Sequence, residues 1–245
     1  MGLVTLAALC VAGFAILFRY FERYRVPLLP AIAINYTVAW WCGSVVAPPW
    51  RANEVGPLLI PACMLGTLFV VIFIIAGLSA QRAGVARTTI AGRMGLVLTI
   101  AGTIILFGER IGPLIILGIA MAIIGLVLTT ATPGGSGTSG GQWTLPVLLF
   151  VCSGAADIGI TYVQRTLTHT GNVATFPTLC FGASTVVSWI LLIVRKEQDA
   201  LRHARTWIGG IGLGIVNYAS LLLLIRALDA GSYPASVIFP VMNIL

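Results

Sequence analysis

The chain has 245 residues, 58% hydrophobic and 9% charged, with a mean hydropathy of +1.02. Ordinary soluble domains are about one quarter charged, so this composition excludes a water-soluble globule and makes a bilayer the solvent. The net charge of +7 does not indicate nucleic acid, because no Lys and Arg cluster interleaved with aromatics is present and the cations sit at the ends of apolar runs.

A crossing helix needs about 20 apolar residues. The first run, near 3 to 18, leads into "FRYFERYR" and lacks both the basic start and the small-residue cleavage site of a signal peptide, so it is expected to stay as a membrane helix. Runs near 28 to 47, 57 to 79, 85 to 107 and 112 to 130 follow. Then comes "TPGGSGTSGGQ", a Gly/Ser stretch that neither packs nor propagates helix and reads as a flexible linker. Beyond it lie runs near 144 to 164, 173 to 194, 206 to 226 and 233 to 245. The expected architecture is all-α: a polytopic membrane protein of nine transmembrane helices, with a first unit over 1–131, a linker over 132–143 and a second unit over 144–245.

The two halves resemble each other. Slid by 142 positions, Leu3, Leu6, Cys10, Ile16, Tyr20 and Arg23 fall on Leu145, Leu148, Cys152, Ile158, Tyr162 and Arg165. Slid by 147, "LSAQRAG" from Leu78 falls on "IRALDAG" from Ile225, the five extra residues matching the longer "RKEQDALRHAR" loop. Two repeats of five segments are inverted, because an odd number of crossings makes the second copy enter from the opposite face. On this register Leu245 falls on Leu98, midway through the fourth segment. A complete chain would therefore run to about 277 residues, and the chain is expected to be truncated, with nine of ten helices.

Lys and Arg near segment ends set the orientation. Arg19, Arg23, Arg25, Arg82, Arg87, Arg195, Lys196, Arg202 and Arg205 collect on one face, against Arg51, Arg110, Arg165 and Arg226 on the other, so the first face is expected to be cytoplasmic and the N-terminus outside.

Polar groups inside the apolar runs point to function. Arg93, near the middle of the fourth run, would cost about 2.5 to 3.5 kcal/mol against lipid and should face protein or a water-filled cavity. Its candidate partner is Asp157 in "CSGAADIGITYVQR", the carboxylate well inside a predicted segment. Helical rise puts the two about 8 Å apart in depth. Two readings stand: a fixed structural ion pair, and substrate or proton handling in one central cavity. Asn35, Tyr36, Tyr162, Gln164, Asn217, Tyr218 and Asn243 are further polar groups at membrane depth, able to line a pathway or to hydrogen-bond between helices. "GGIGLG" and the Gly118, Ala122, Gly125 series read as close helix packing.

The five cysteines lie in apolar runs without metal-ligand spacing and read as buried small hydrophobes. "GSGTSG" spells a dinucleotide-binding fingerprint but follows a membrane helix rather than a strand. "GTSG" at Gly137 is similar to the serine motif of rhomboid-type proteases, yet both histidines, His169 and His203, fall in predicted loops, so no enzyme chemistry is expected.

In order along the chain, "FERYRVPLLPAIAINY", "TTIAGRMGLVL" running into "LFGERIGPLIILGIAMAIIGLVL", "SGAADIGITYVQ" and "SYPASVIFPVMNIL" resemble the EamA-like branch of the drug/metabolite transporter superfamily. The resemblance spans nearly the whole chain. It implies ten helices in two inverted five-helix repeats, a central substrate cavity and secondary transport, commonly export of small metabolites, with a basic residue where Arg93 stands and an acid where Asp157 stands.

The expected function is alternating-access transport of a small polar or zwitterionic solute, multi-pass in the plasma (inner) membrane. Flipping of a lipid-linked intermediate and a non-transporting membrane scaffold are the alternatives. Expected partners are a small-molecule substrate, a coupling proton and membrane lipid, with a homodimer left open; no nucleic acid, metal or cofactor is implied.

Overall fold

The computed structural model describes residues 23–52, 55–108, 144–168 and 174–229, together with Cys10, Gly13, Leu17, Tyr20, Phe21, Leu117 and Ile124. Six α-helices are defined there: α1 (Leu28–Val46), α2 (Gly56–Ala83), α3 (Val85–Phe107), α4 (Thr144–Thr166), α5 (Thr175–Val194) and α6 (Ala204–Asp229). Short 3-10 turns cover Pro49–Arg51 and Gln198–Arg202. All six helices are long and apolar enough to cross a membrane. They match the second to fourth and sixth to eighth apolar runs, while the first, fifth and ninth runs lie largely or wholly outside the described residues.

Local chemistry explains the boundaries. Pro27 precedes α1, and Pro30 and Pro177 lie in the first turns of α1 and α5, where a missing N–H costs no intrahelical bond. Helix α2 is separated from α3 by Gly84 at φ +92°. At the other end of α3, Gly108 takes the left-handed conformation and returns its N–H to Ile104 O, closing the helix as glycine does best.

The chain forms two compact units, Met1–Val71 with Val163–Leu245, and Ile72–Tyr162. In the first, α1 is the core: Pro30 through Tyr36 are buried without interruption, so this stretch is enclosed on all sides. Helix α6 runs parallel to it. A Cβ added at Gly210 would stand 2.6 Å from Ile34 Cβ, and one at Gly214 2.6 Å from Asn35 O, so the "GGIGLG" stretch packs closely as read from sequence. Helix α5 runs antiparallel to α1, with Gly43 against Thr178 and Gly182 against Trp40. Trp189 Nε1 donates to Thr37 Oγ1 at 2.9 Å across the same seam. The first part of α2 joins α5 where Ser184 Oγ donates to Gly66 O at 2.9 Å.

In the second unit, Ser79 and Thr88 share a hydroxyl hydrogen bond of 2.7 Å that ties the end of α2 to the start of α3. Helices α3 and α4 run parallel. Gly92 meets Leu149, Gly95 meets Ser153 and Gly154, and Gly102 meets Ile158.

Candidate functional site

Asp157 sits in the α3/α4 seam. The small residues Gly92, Gly95, Thr99 and Gly102 recur every three or four positions, which on a helix is one face, and bring the α4 backbone close. A Cβ at Gly154 would stand 2.9 Å from Gly95 O. One turn further along, Thr99 Oγ1 donates to Asp157 Oδ2 at 3.3 Å and also reaches Gly95 O at 3.2 Å. Thr99 is buried, with 3% exposure. Sequence reading missed Thr99; the signal was its place on the glycine stripe, since a hydroxyl on a packing face has to find a partner.

The described partner of the carboxylate is thus Thr99 and not Arg93. Arg93 precedes Thr99 by six residues, which is about 9 Å along the axis and about 120° around the helix. It shares its face with Val97 and Ile104, 7% and 8% exposed, rather than with the residues touching α4. Arg93 is half-buried and engaged in an interaction of its own, so it is not a loose charge. Direct pairing of Arg93 with Asp157 is therefore absent from this arrangement. Tyr162, five residues beyond Asp157, is 46% exposed and packs its ring against Phe107 at 6.5 Å.

A second polar group lies in the other unit. Asn217 Nδ2 donates to Asn35 Oδ1 at 3.2 Å, joining α6 to α1 just beyond the Gly214 contact. Asn35 is fully buried, and among the described residues neither its Nδ2 nor the Tyr218 hydroxyl has a hydrogen-bond partner. Phe181 is the aromatic hub beside them, with ring centroids 6.2 Å from Tyr36, 6.4 Å from Phe69 and 6.3 Å from Tyr218. The structure so joins Asn217 to Asn35 and sets Tyr36 and Tyr218 against the same Phe181 ring, a grouping within the polar residues that the sequence did not single out. It also gives Asn35 and Asn217 the interhelical bond that is the commoner fate of such residues. Asn243 lies outside the described residues.

Chemically, the seam around Asp157 offers a carboxylate with acceptor sites beyond the one Thr99 fills, since an ionised carboxylate has about four lone-pair positions. The asparagine and tyrosine group offers neutral donors in an aromatic surround. Among the described residues no group of three or more His, Cys, Asp or Glu can hold a metal ion.

No protein-family profile matches the chain, and no solved structure matches it. An uncharacterized protein of Haemophilus influenzae is 27% identical over 250 residues, an alignment covering 97% of this chain and 83% of that protein. The chain is thus similar, over nearly its whole length, to a protein whose own function is not named.

Proposed function

We propose that this chain is a secondary transporter of small polar or zwitterionic metabolites, working by alternating access in the plasma (inner) membrane and resembling the EamA-like drug/metabolite exporters. The observation that carries the reading is Asp157, a carboxylate inside a helix long enough to cross the bilayer, held there by one neutral hydroxyl. An ionisable residue at such depth is costly and marks a substrate or proton route by default. Asp157 takes the coupling proton or the amino group of the solute, Thr99 orients it, and Arg93 attracts an anionic group on a separate face of α3.

The bounds of the six described helices support two inverted repeats within an expected set of nine crossing segments. Leu28 and Thr175, which open α1 and α5, are 147 positions apart, and Gly56 and Ala204, which open α2 and α6, are 148 apart. The seams pair accordingly: α6 meets α1 at Gly210 and Gly214, and α2 meets α5 at Gly66. The parallel course of α3 and α4 fits this reading, in which one further crossing segment, the apolar 112 to 130 run, comes between them in sequence.

The test is export or uptake of labelled amino acids and related metabolites in proteoliposomes. Asp157→Asn is expected to abolish proton-driven transport and Arg93→Ala to abolish transport of solutes bearing a carboxylate, both with normal membrane insertion. Full transport by correctly inserted Asp157→Asn protein would remove the role given to Asp157, and absence of transport by the unmodified protein across the panel would favour a scaffold.

A further inference from the structure

At one end of the first unit α1 begins, α5 ends and α6 begins. The antiparallel α1/α5 and parallel α1/α6 contacts bring these three termini together. Arg205 Nη1 donates to Tyr24 O at 3.2 Å, and a Cβ added at Gly209 would meet the Phe21 ring, so the segment before α1 belongs to the same end. Arg23, Arg25, Arg195, Lys196, Arg202 and Arg205 are all exposed there, against the carboxylates of Glu197 and Asp199 among the described residues. One of these carboxylates is engaged, since Asp199 pairs with Arg202 at 3.7 Å.

Two of the cations stand where local conformation disfavours them. Arg25 has φ +47° and Lys196 φ +56°. Each ends a helix in the same turn: Val26 N–H returns to Phe21 O at 3.0 Å around Arg25, and Glu197 N–H returns to Leu192 O at 3.3 Å around Lys196. That six-to-one bond marks the helix-terminating motif whose left-handed position is usually glycine, because a Cβ is strained there. Arg and Lys occupy both positions, at the same end of one unit, and both side chains point into solvent.

The surroundings are tied down by side-chain hydrogen bonds. Trp207 Nε1 donates to Leu201 O at 2.8 Å and Thr206 Oγ1 to Ala200 O at 3.0 Å, which fold the Arg195 to Arg205 connection onto the start of α6. Trp207 and Tyr24 are 45% and 46% exposed at this level, as amphipathic rings are at lipid headgroups. These bonds tie the connection that carries Arg195, Lys196, Arg202 and Arg205 to the ends of helices long and apolar enough to cross a membrane, and lipid phosphates lie at the ends of such helices.

We propose that this basic end is a binding site for anionic phospholipid headgroups, with Arg25 and Lys196 gripping the phosphodiester and Arg195 and Arg205 beside them. It goes beyond transport and holds whichever solute the protein moves. The phosphate is that of the lipid, because free phosphate lacks the acyl chains that Trp207 and Tyr24 would flank.

The experiment uses the full chain in a non-ionic detergent, titrated with phosphatidylglycerol, phosphatidylcholine or inorganic phosphate, with melting temperature and lipids retained in native mass spectrometry as readouts. Phosphatidylglycerol is expected to raise the melting temperature and to be retained in preference to phosphatidylcholine. In the Arg25→Gly/Lys196→Gly protein that preference should fall by roughly ten- to thirty-fold, while the melting temperature without lipid stays level or rises as backbone strain is relieved. Arg25→Lys should keep the preference. Equal response of the unmodified protein to both lipids, an undiminished preference in the double glycine variant, or the same stabilisation by inorganic phosphate alone would each overturn the proposal. If the double variant does not fold, Arg195→Gln/Arg205→Gln serves the same comparison, with the same loss expected.

Discussion

Thr99 is the described hydrogen-bond partner of the Asp157 carboxyl group. A hydroxyl at 3.3 Å is a weak donor to a carboxyl group that has several acceptor positions, so Thr99 fills one of them and leaves the others open. Interhelical hydrogen bonds in membranes average about 0.6 kcal/mol and reach about 1.7 at most. Thr99→Val, which keeps the shape, is therefore expected to destabilise the folded protein by about 1 kcal/mol or less in a reversible detergent unfolding assay. A double-mutant cycle with Asp157→Ala, which removes the acceptor, should show coupling of about 0.5 kcal/mol or more; additive effects would mean that the bond contributes nothing. The Arg93 side chain, on another face of α3, should show no coupling to Asp157 in the same assay, because no direct contact joins them.

At the scale of elements, packing outweighs hydrogen bonding. Lipid tails are as apolar as leucine side chains, so helices associate through close contact rather than through the hydrophobic effect. The α1/α6 seam carries both kinds of interaction and lets them be compared. Asn217→Leu removes the bond to Asn35 and is expected to cost about 1 kcal/mol, although it leaves the buried Asn35 amide without its partner. Gly214→Leu drives a side chain into the α1 backbone at Asn35 and should cost about 3 kcal/mol or prevent folding. Fluorescence-detected size exclusion and thermal melting of the two variants check the order; an Asn217→Leu protein less stable than Gly214→Leu would reverse it. Gly95→Leu should act like Gly214→Leu, because Gly154 N and Ser153 Cβ stand within 3.0 Å of where its Cβ would lie.

For the whole molecule, charge asymmetry sets the topology. The basic connection from Arg195 to Arg205 and the Arg23 to Arg25 turn lie at one end of the first unit, while Arg51 follows the opposite end of α1. Reporter fusions after residue 196 are expected to report the cytoplasm and fusions after residue 51 the outer side. The opposite pattern would reverse the proposed orientation, and no difference between them would indicate that both orientations occur. A cysteine replacing Asp157 should react with a water-soluble thiol reagent in whole cells if the α3/α4 seam meets a wet pathway, and stay silent if it is sealed.

Six helices were legible in the chain itself, because span length and hydropathy answer to bilayer thickness and need no knowledge of neighbours. Boundaries followed for the same local reasons: the run near 85 to 107 ends where Gly108 turns left-handed, and the run near 28 to 47 ends ahead of Pro48 and Pro49. The close packing of "GGIGLG" was also readable, since only small residues let two backbones touch. Partner choice was not. Depth arithmetic brought Arg93 within reach of Asp157, but whether two side chains meet depends on the rotation of each helix about its axis. In a segment apolar on every side no amphipathic pattern reveals that rotation. Tertiary packing set it through the glycine stripe of α3, which turned Thr99 toward Asp157 and Arg93 away.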